Sequence, residues 1–144
     1  MKLHILKLLL ILSVMPGFSY SADPQDTLSL KVIYEKLNLS SFRNSTGPAR
    51  MKGQKYFSDL GLPLSKIDGD TLFVETTDWL YKIKLMEARD INGDGSEDAI
   101  ICFTDKAKHA SYNAQQPILV TRYEATGDIV AIKFEVDGCE EYAK

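Results

Sequence analysis

Histidine is almost missing from this sequence of 144 residues: there are two, His4 and His109. A histidine-rich metal site is thereby excluded, and past residue 21 any Ser-His-Asp or Cys-His arrangement has His109 as its single candidate base. Its neighbours, Lys106-Ala107-Lys108-His109-Ala110-Ser111, read as a solvated loop. Cysteine is equally scarce. Cys102 and Cys139 stand alone, with no Cys-x-x-Cys spacing for zinc or redox chemistry. No apolar run approaches the roughly 20 residues needed to cross a bilayer. There is no internal repeat and no low-complexity tract, and a net charge of −3 has the wrong sign for a nucleic-acid binder.

What is present begins at the N-terminus. Lys2, His4 and Lys7 precede the apolar stretch Leu8-Leu9-Leu10-Ile11-Leu12-Ser13-Val14-Met15, which Pro16-Gly17 breaks. Ser19 and Ser21 suit a peptidase cutting before Ala22 or Asp23, so residues 1–21 read as a cleaved signal peptide and the protein as secreted or periplasmic. No cysteine near the cut offers a lipid attachment point, and no stable membrane anchor is expected. Residues 22–144 are the size of one domain, large enough to bury a core without many crosslinks. In an exported chain an even cysteine count favours a Cys102–Cys139 disulfide over two thiols.

Loss of Lys2 and Lys7 with the signal takes the net charge from −3 to −5, and what remains is unevenly spread. Between Lys31 and Lys66 seven basic residues face only Glu35 and Asp59, while from Ile67 onward eight basic residues face sixteen acidic ones. The two halves attract each other. The basic half contains Ser41-Phe42-Arg43-Asn44-Ser45-Thr46-Gly47-Pro48-Ala49-Arg50, where Arg43, Asn44 and Arg50 offer donors to an anionic group or a partner. The plainer reading of the same residues is a loop pinned by its own hydrogen bonds.

Apolar periodicity predicts helix first and sheet second. Leu30, Ile33, Tyr34 and Leu37 fall at i, i+3, i+4 and i+7, which predicts an amphipathic helix over residues 27–39 with Asp26 or Thr27 as N-cap. Residues 40–53 read as an ordered loop, and a short helical turn ending at Gly61 follows. The period then becomes two. Strands are predicted at 71–76, at Trp79-Tyr81-Ile83-Leu85, at 99–104, at 118–123 and at Val130-Ile132-Phe134-Val136. The fold class is therefore α+β: one domain, with an N-terminal helix packed on a roughly five-stranded antiparallel sheet.

The most specific motif is Asp90-Ile91-Asn92-Gly93-Asp94-Gly95-Ser96-Glu97-Asp98. Calcium takes six to eight oxygens, and alternate side chains of a tightly wound loop converge to supply them. Asp90, Asn92, Asp94, the carbonyl of Ser96 and Asp98 are the candidate ligands, and Gly95 permits the turn. These nine residues resemble the calcium loops of EF-hands, dockerins and FG-GAP blades. The resemblance ends with the loop, because Ile101 stands where an EF-hand has its bidentate glutamate and the following residues read as strand. A structural Ca²⁺ of low affinity is the expectation. The competing reading is an ordinary hairpin turn, since Asn-Gly and Asp-Gly favour turns with no metal, although four acidic side chains in nine residues repel one another.

No catalytic constellation is visible, and the expectation is a non-enzymatic binding, accessory or inhibitor module, with another exported protein as a conceivable partner. The alternative is a small hydrolase of envelope or extracellular polymers working through a carboxylate pair such as Asp68 with Asp70 or Glu140 with Glu141.

Overall fold

The computed structural model describes residues 27–137 and Cys139; residues 1–21, expected above to be a signal peptide, and the Glu140-Glu141 pair lie outside them. Six strands, one more than expected, form a single antiparallel sheet in sequence order: β1 Leu64–Asp68, β2 Thr71–Glu75, β3 Trp79–Arg89, β4 Asp98–Ala107, β5 Asn113–Arg122 and β6 Ile129–Lys133. Each strand pairs with the one before it, which is the topology that short turns favour. The extra strand is β1. Its apolar residues Leu64 and Ile67 are three apart, out of step with the two-residue period, and a register shift between Leu64 and Lys66 reconciles them with β2. All of β1 after Leu64 is exposed, as an edge strand tolerates, so it carries little apolar signal.

The helix is shorter than expected. Helix α1 spans Leu30–Lys36, and its N-cap is Ser29, whose hydroxyl accepts from the amide of Val32 at 3.3 Å, in place of Asp26 or Thr27. Its C-terminal limit has a physical cause: the Asn38 amide donates to the carbonyl of Ile129 at 2.8 Å, and Leu37 bridges to the same residue. Once the backbone pairs with β6 it cannot continue the helical ladder. The periodic residues still serve the core, because Leu30, Ile33 and Leu37 are buried and Tyr34 packs beside them.

One face of the sheet supplies Leu72, Val74, Ile83, Ala99, Ile101, Phe103, Ile118, Val120 and Ile129. An N-terminal layer of Leu28, the α1 residues, Leu39, Phe42 and Phe57 covers it. Asp128, in the β5–β6 turn, pins that layer by accepting hydrogen bonds from Asn38, Lys55 and Tyr56. The inward residues of β6 differ from expectation. Ile129 and Ala131 face the core while Ile132 is 38 % exposed, and a register shift between Leu119 and Val120 accompanies that phase.

Cys102 alternates with Ile101 and Phe103 and so belongs to the opposite face. There it is bridged to Cys139, which ties that residue to the back of the sheet. Among the described residues no helix is long and apolar enough to cross a membrane.

Candidate functional site

The 90–98 loop joins β3 to β4, and its polar side chains are satisfied largely by its own backbone. Asp90 accepts from the amides of Gly93, Asp94 and Gly95 at 2.7, 3.2 and 2.9 Å. Asn92 accepts from Asp94 at 2.9 Å, and Asp94 from Ser96 at 2.8 Å. Asp98 is fully buried and accepts from Ile91 and Asn92 at 2.9 and 3.0 Å through one oxygen. Glu97 turns out of the loop and accepts from the amide of Leu28. Amide dipoles therefore offset the mutual repulsion that the sequence alone assigns to a cation. Gly93 and Gly95 adopt φ of 78° and 86°, where a side chain would strain the backbone. Among the described residues no three His, Cys, Asp or Glu side chains converge as a metal-holding group.

The Arg43–Arg50 segment folds over the end of the core face. Arg50 is spent on the loop itself: its guanidinium donates to the carbonyls of Thr46, Pro48 and Arg43 at 2.8, 3.1 and 3.3 Å. Arg43 lies over the Phe134 ring, 4.8 Å from its centroid, and pairs with the exposed Glu135 at 3.7 Å. Of the three loop residues singled out in the sequence, only Asn44 lines the hollow beneath.

That hollow is the feature the sequence reading missed. Two adjoining spaces of about 290 and 320 Å³ lie between residues 44–49 and the ends of β3, β4 and β5. They share Ser45, Asp105 and Tyr112. In β4 the inward stripe runs Ala99, Ile101, Phe103, Asp105, so a carboxylate occupies the position at which alternation calls for another apolar residue. Asp105 is 5 % exposed. One oxygen accepts from the Gly47 amide at 3.1 Å, and the other has no hydrogen-bond partner among the described residues.

Three aromatic residues, Trp79, Tyr81 and Tyr112, line the hollow with this carboxylate. Trp79 stacks on Tyr81 with centroids 6.3 Å apart and meets Tyr112 edge-on at 5.8 Å. Burial raises the pKa of Asp105, opposed by the Gly47 amide. Burial and then the Asp105 charge push Tyr81 up to about 12, and the same two causes raise Tyr112. Gly47 has φ of 79°, and a β-carbon on it would stand 3.3 Å from the Phe103 ring, so the loop can approach Asp105 this closely only because this residue is glycine.

The signal for Asp105 was present but truncated. Ending the third predicted strand, 99–104, at Thr104 leaves Asp105 outside the alternation, whereas β4 runs on to Ala107. The other carboxylate and histidine candidates are elsewhere. Asp70 pairs with Lys84 at 3.7 Å on the exposed β1–β2 turn, and His109 is exposed, with Nε2 3.2 Å from the carbonyl of Thr77.

The buried charge has a measurable consequence. A carboxyl whose folded pKa lies above its ordinary value of 3.8 favours the fold when protonated; that contribution is complete below 3.8 and is lost as pH rises through the folded value. At neutral pH the charge destabilises the fold, on the order of 1–3 kcal/mol for a buried group with an unmade hydrogen bond. Asp105→Asn is expected to raise the thermal midpoint at pH 7. The advantage over the parent should shrink as pH falls and Asp105 takes up its proton, which paired melts between pH 4 and 8 would reveal.

No protein-family model, no curated protein and no solved structure matches the chain.

Proposed function

We propose that the protein is an exported, non-enzymatic binding module whose ligand site is the cleft beneath residues 44–49. The observation that carries this reading is Asp105: a buried carboxylate with one oxygen unpartnered among the described residues, lining a hollow with Trp79, Tyr81 and Tyr112 at a strand position alternation reserves for the core. A position that lowers stability and borders an aromatic-lined cleft is typical of a binding site. A volume near 300 Å³ suits a small molecule or a single side chain of a partner protein.

The hydrolase reading gains nothing from the same cleft. Glycoside hydrolysis requires two carboxyl groups facing each other, and Asp105 is the one acidic residue among those lining it. Export remains the compartment we propose, since the disulfide is at home in an oxidising environment.

The 90–98 loop enters as a structural element. We propose that Ca²⁺ stabilises it without taking part in ligand binding. The all-oxygen donor set of Asp90, Asn92, Asp94, Ser96 and Asp98 supports this, and each carboxylate oxygen can accept more than one contact. The amide bonds already made, and the lack of three converging carboxylates, argue that the ion would add to a turn that closes by itself.

Two-dimensional NMR of the mature domain with a fragment set tests the site. Ligands are expected to shift the Trp79 indole and the Gly47 amide together. Hits that all map to other surfaces would overturn the assignment.

A further inference from the structure

We infer that the cleft is built to receive an alkylammonium group, held by Asp105 and walled by Trp79 and Tyr112. The inference rests on the cleft being the ligand site and adds the chemical class of the ligand. Its first support is the sign of charge. Among the residues lining the two hollows Asp105 carries the only formal charge, and the nearby guanidinium of Arg50 is committed to three carbonyls of its own loop. A buried carboxylate that faces no cation among the described residues is compensated best by a cation brought from outside.

Ring geometry is the second support. Trp79 and Tyr112 meet edge to face at 71°, and both line the hollow that Asp105 lines. The electron-rich faces of Trp and Tyr attract cations, and Trp does so most strongly. The rings are reachable from solvent, since Trp79 and Tyr112 are 37 % and 42 % exposed, whereas Asp105 and its unpartnered oxygen are buried, so an ammonium would reach that oxygen only by displacing the rings or the 44–49 loop.

The valence of Asp105 selects among cations. A guanidinium binds best when both oxygens of a carboxylate accept in parallel, and here one already accepts from Gly47. The free oxygen offers a single strong acceptor, which matches the point charge of an ammonium. A metal ion would want more than one carboxylate and would gain nothing from aromatic walls. The alkyl carbons next to the nitrogen would lie against the rings.

Titration of the mature domain with n-butylammonium, n-butanol and butyrate, followed at the Trp79 indole and Gly47 amide, tests the class. n-Butylammonium is expected to bind at least tenfold more tightly than n-butanol, with butyrate weakest, and Asp105→Asn should lose that preference while remaining folded. Trp79→Leu should weaken n-butylammonium several-fold and n-butanol less, narrowing the preference between them. N-acetyl-lysine methylamide carries the same group on a peptide unit. Tighter binding than n-butylammonium would support a lysyl side chain of a partner protein as the source, and equal binding would support a free amine. Equal binding of n-butanol and n-butylammonium, unchanged in Asp105→Asn, would overturn the ammonium assignment and leave the cleft as a binding site. No shift at either reporter with any probe at tens of millimolar would overturn the cleft as well.

Discussion

Replacing Cys102 and Cys139 together by alanine is expected to lower the unfolding free energy by about 4 kcal/mol. The bridge joins residues 37 apart in sequence, and closing a loop of that length in the unfolded chain removes entropy worth about this much near room temperature. The cross-link is well placed to deliver it, since the loop encloses the rest of β4, all of β5 and β6, and both sulfurs are nearly buried. For a domain whose total stability lies between about 5 and 15 kcal/mol, the loss is a large fraction of the whole, and the thermal midpoint should fall on the order of 15 °C. Urea unfolding of the oxidised protein and the double variant measures it. A loss below about 1 kcal/mol would show that the bridge only tethers the tail, and the entropic account would then be wrong. A loss of the expected size ties folding to an oxidising compartment, because a reducing one would keep the two thiols apart.

How far the sequence revealed this fold depends on how much of each element's signal is local. The strand Trp79–Arg89 was legible because Tyr81 and Ile83 bury against a sheet face while Lys82 and Lys84 point away, so composition and burial share one period. Leu64–Asp68 was not, because an exposed edge strand with a register shift is specified by its partner β2 and not by its own residues. The helix shows both sides at once. The i, i+3, i+4, i+7 spacing correctly marked Leu30, Ile33 and Leu37 as core, but its end was decided by the Ile129 carbonyl nearly a hundred positions later, which no local pattern contains.

The candidate site divides in the same way. The 90–98 motif is contiguous and could be read residue by residue, yet whether its acids face an ion or their own amides is a matter of side-chain direction. The cleft is assembled from a loop and three strand ends that are distant in sequence. Only Asp105 left a local trace, as a charge standing in a stripe of Ala99, Ile101 and Phe103. The basic loop was noticed for its arginines, whereas what it contributes to the cleft is the Gly47 amide and the side chain of Asn44.

Asp98→Ala is expected to cost about 3 kcal/mol or more, the second largest effect among these variants. Asp98 begins β4, opposite Arg89, and its buried carboxylate is what closes the loop onto the sheet by accepting from Ile91 and Asn92. Each hydrogen bond to a charged acceptor is worth roughly 1.5–3 kcal/mol, and alanine would leave both amides without that partner. Asp98→Asn keeps an acceptor of the same shape and should cost only about 1 kcal/mol. Asp94→Ala loses one contact to Ser96 at an exposed position and should cost less than about 1 kcal/mol without calcium. Calcium separates the two roles of the loop. With a dissociation constant near 10⁻³ M, adding 5 mM should stabilise the parent by about 1 kcal/mol, and Asp94→Ala should abolish that gain. No shift in the parent would mean that the amides alone hold the turn. The cost of Asp98→Ala should persist in chelator either way, because what Asp98 neutralises is the backbone of Ile91 and Asn92, which is present whether or not an ion arrives.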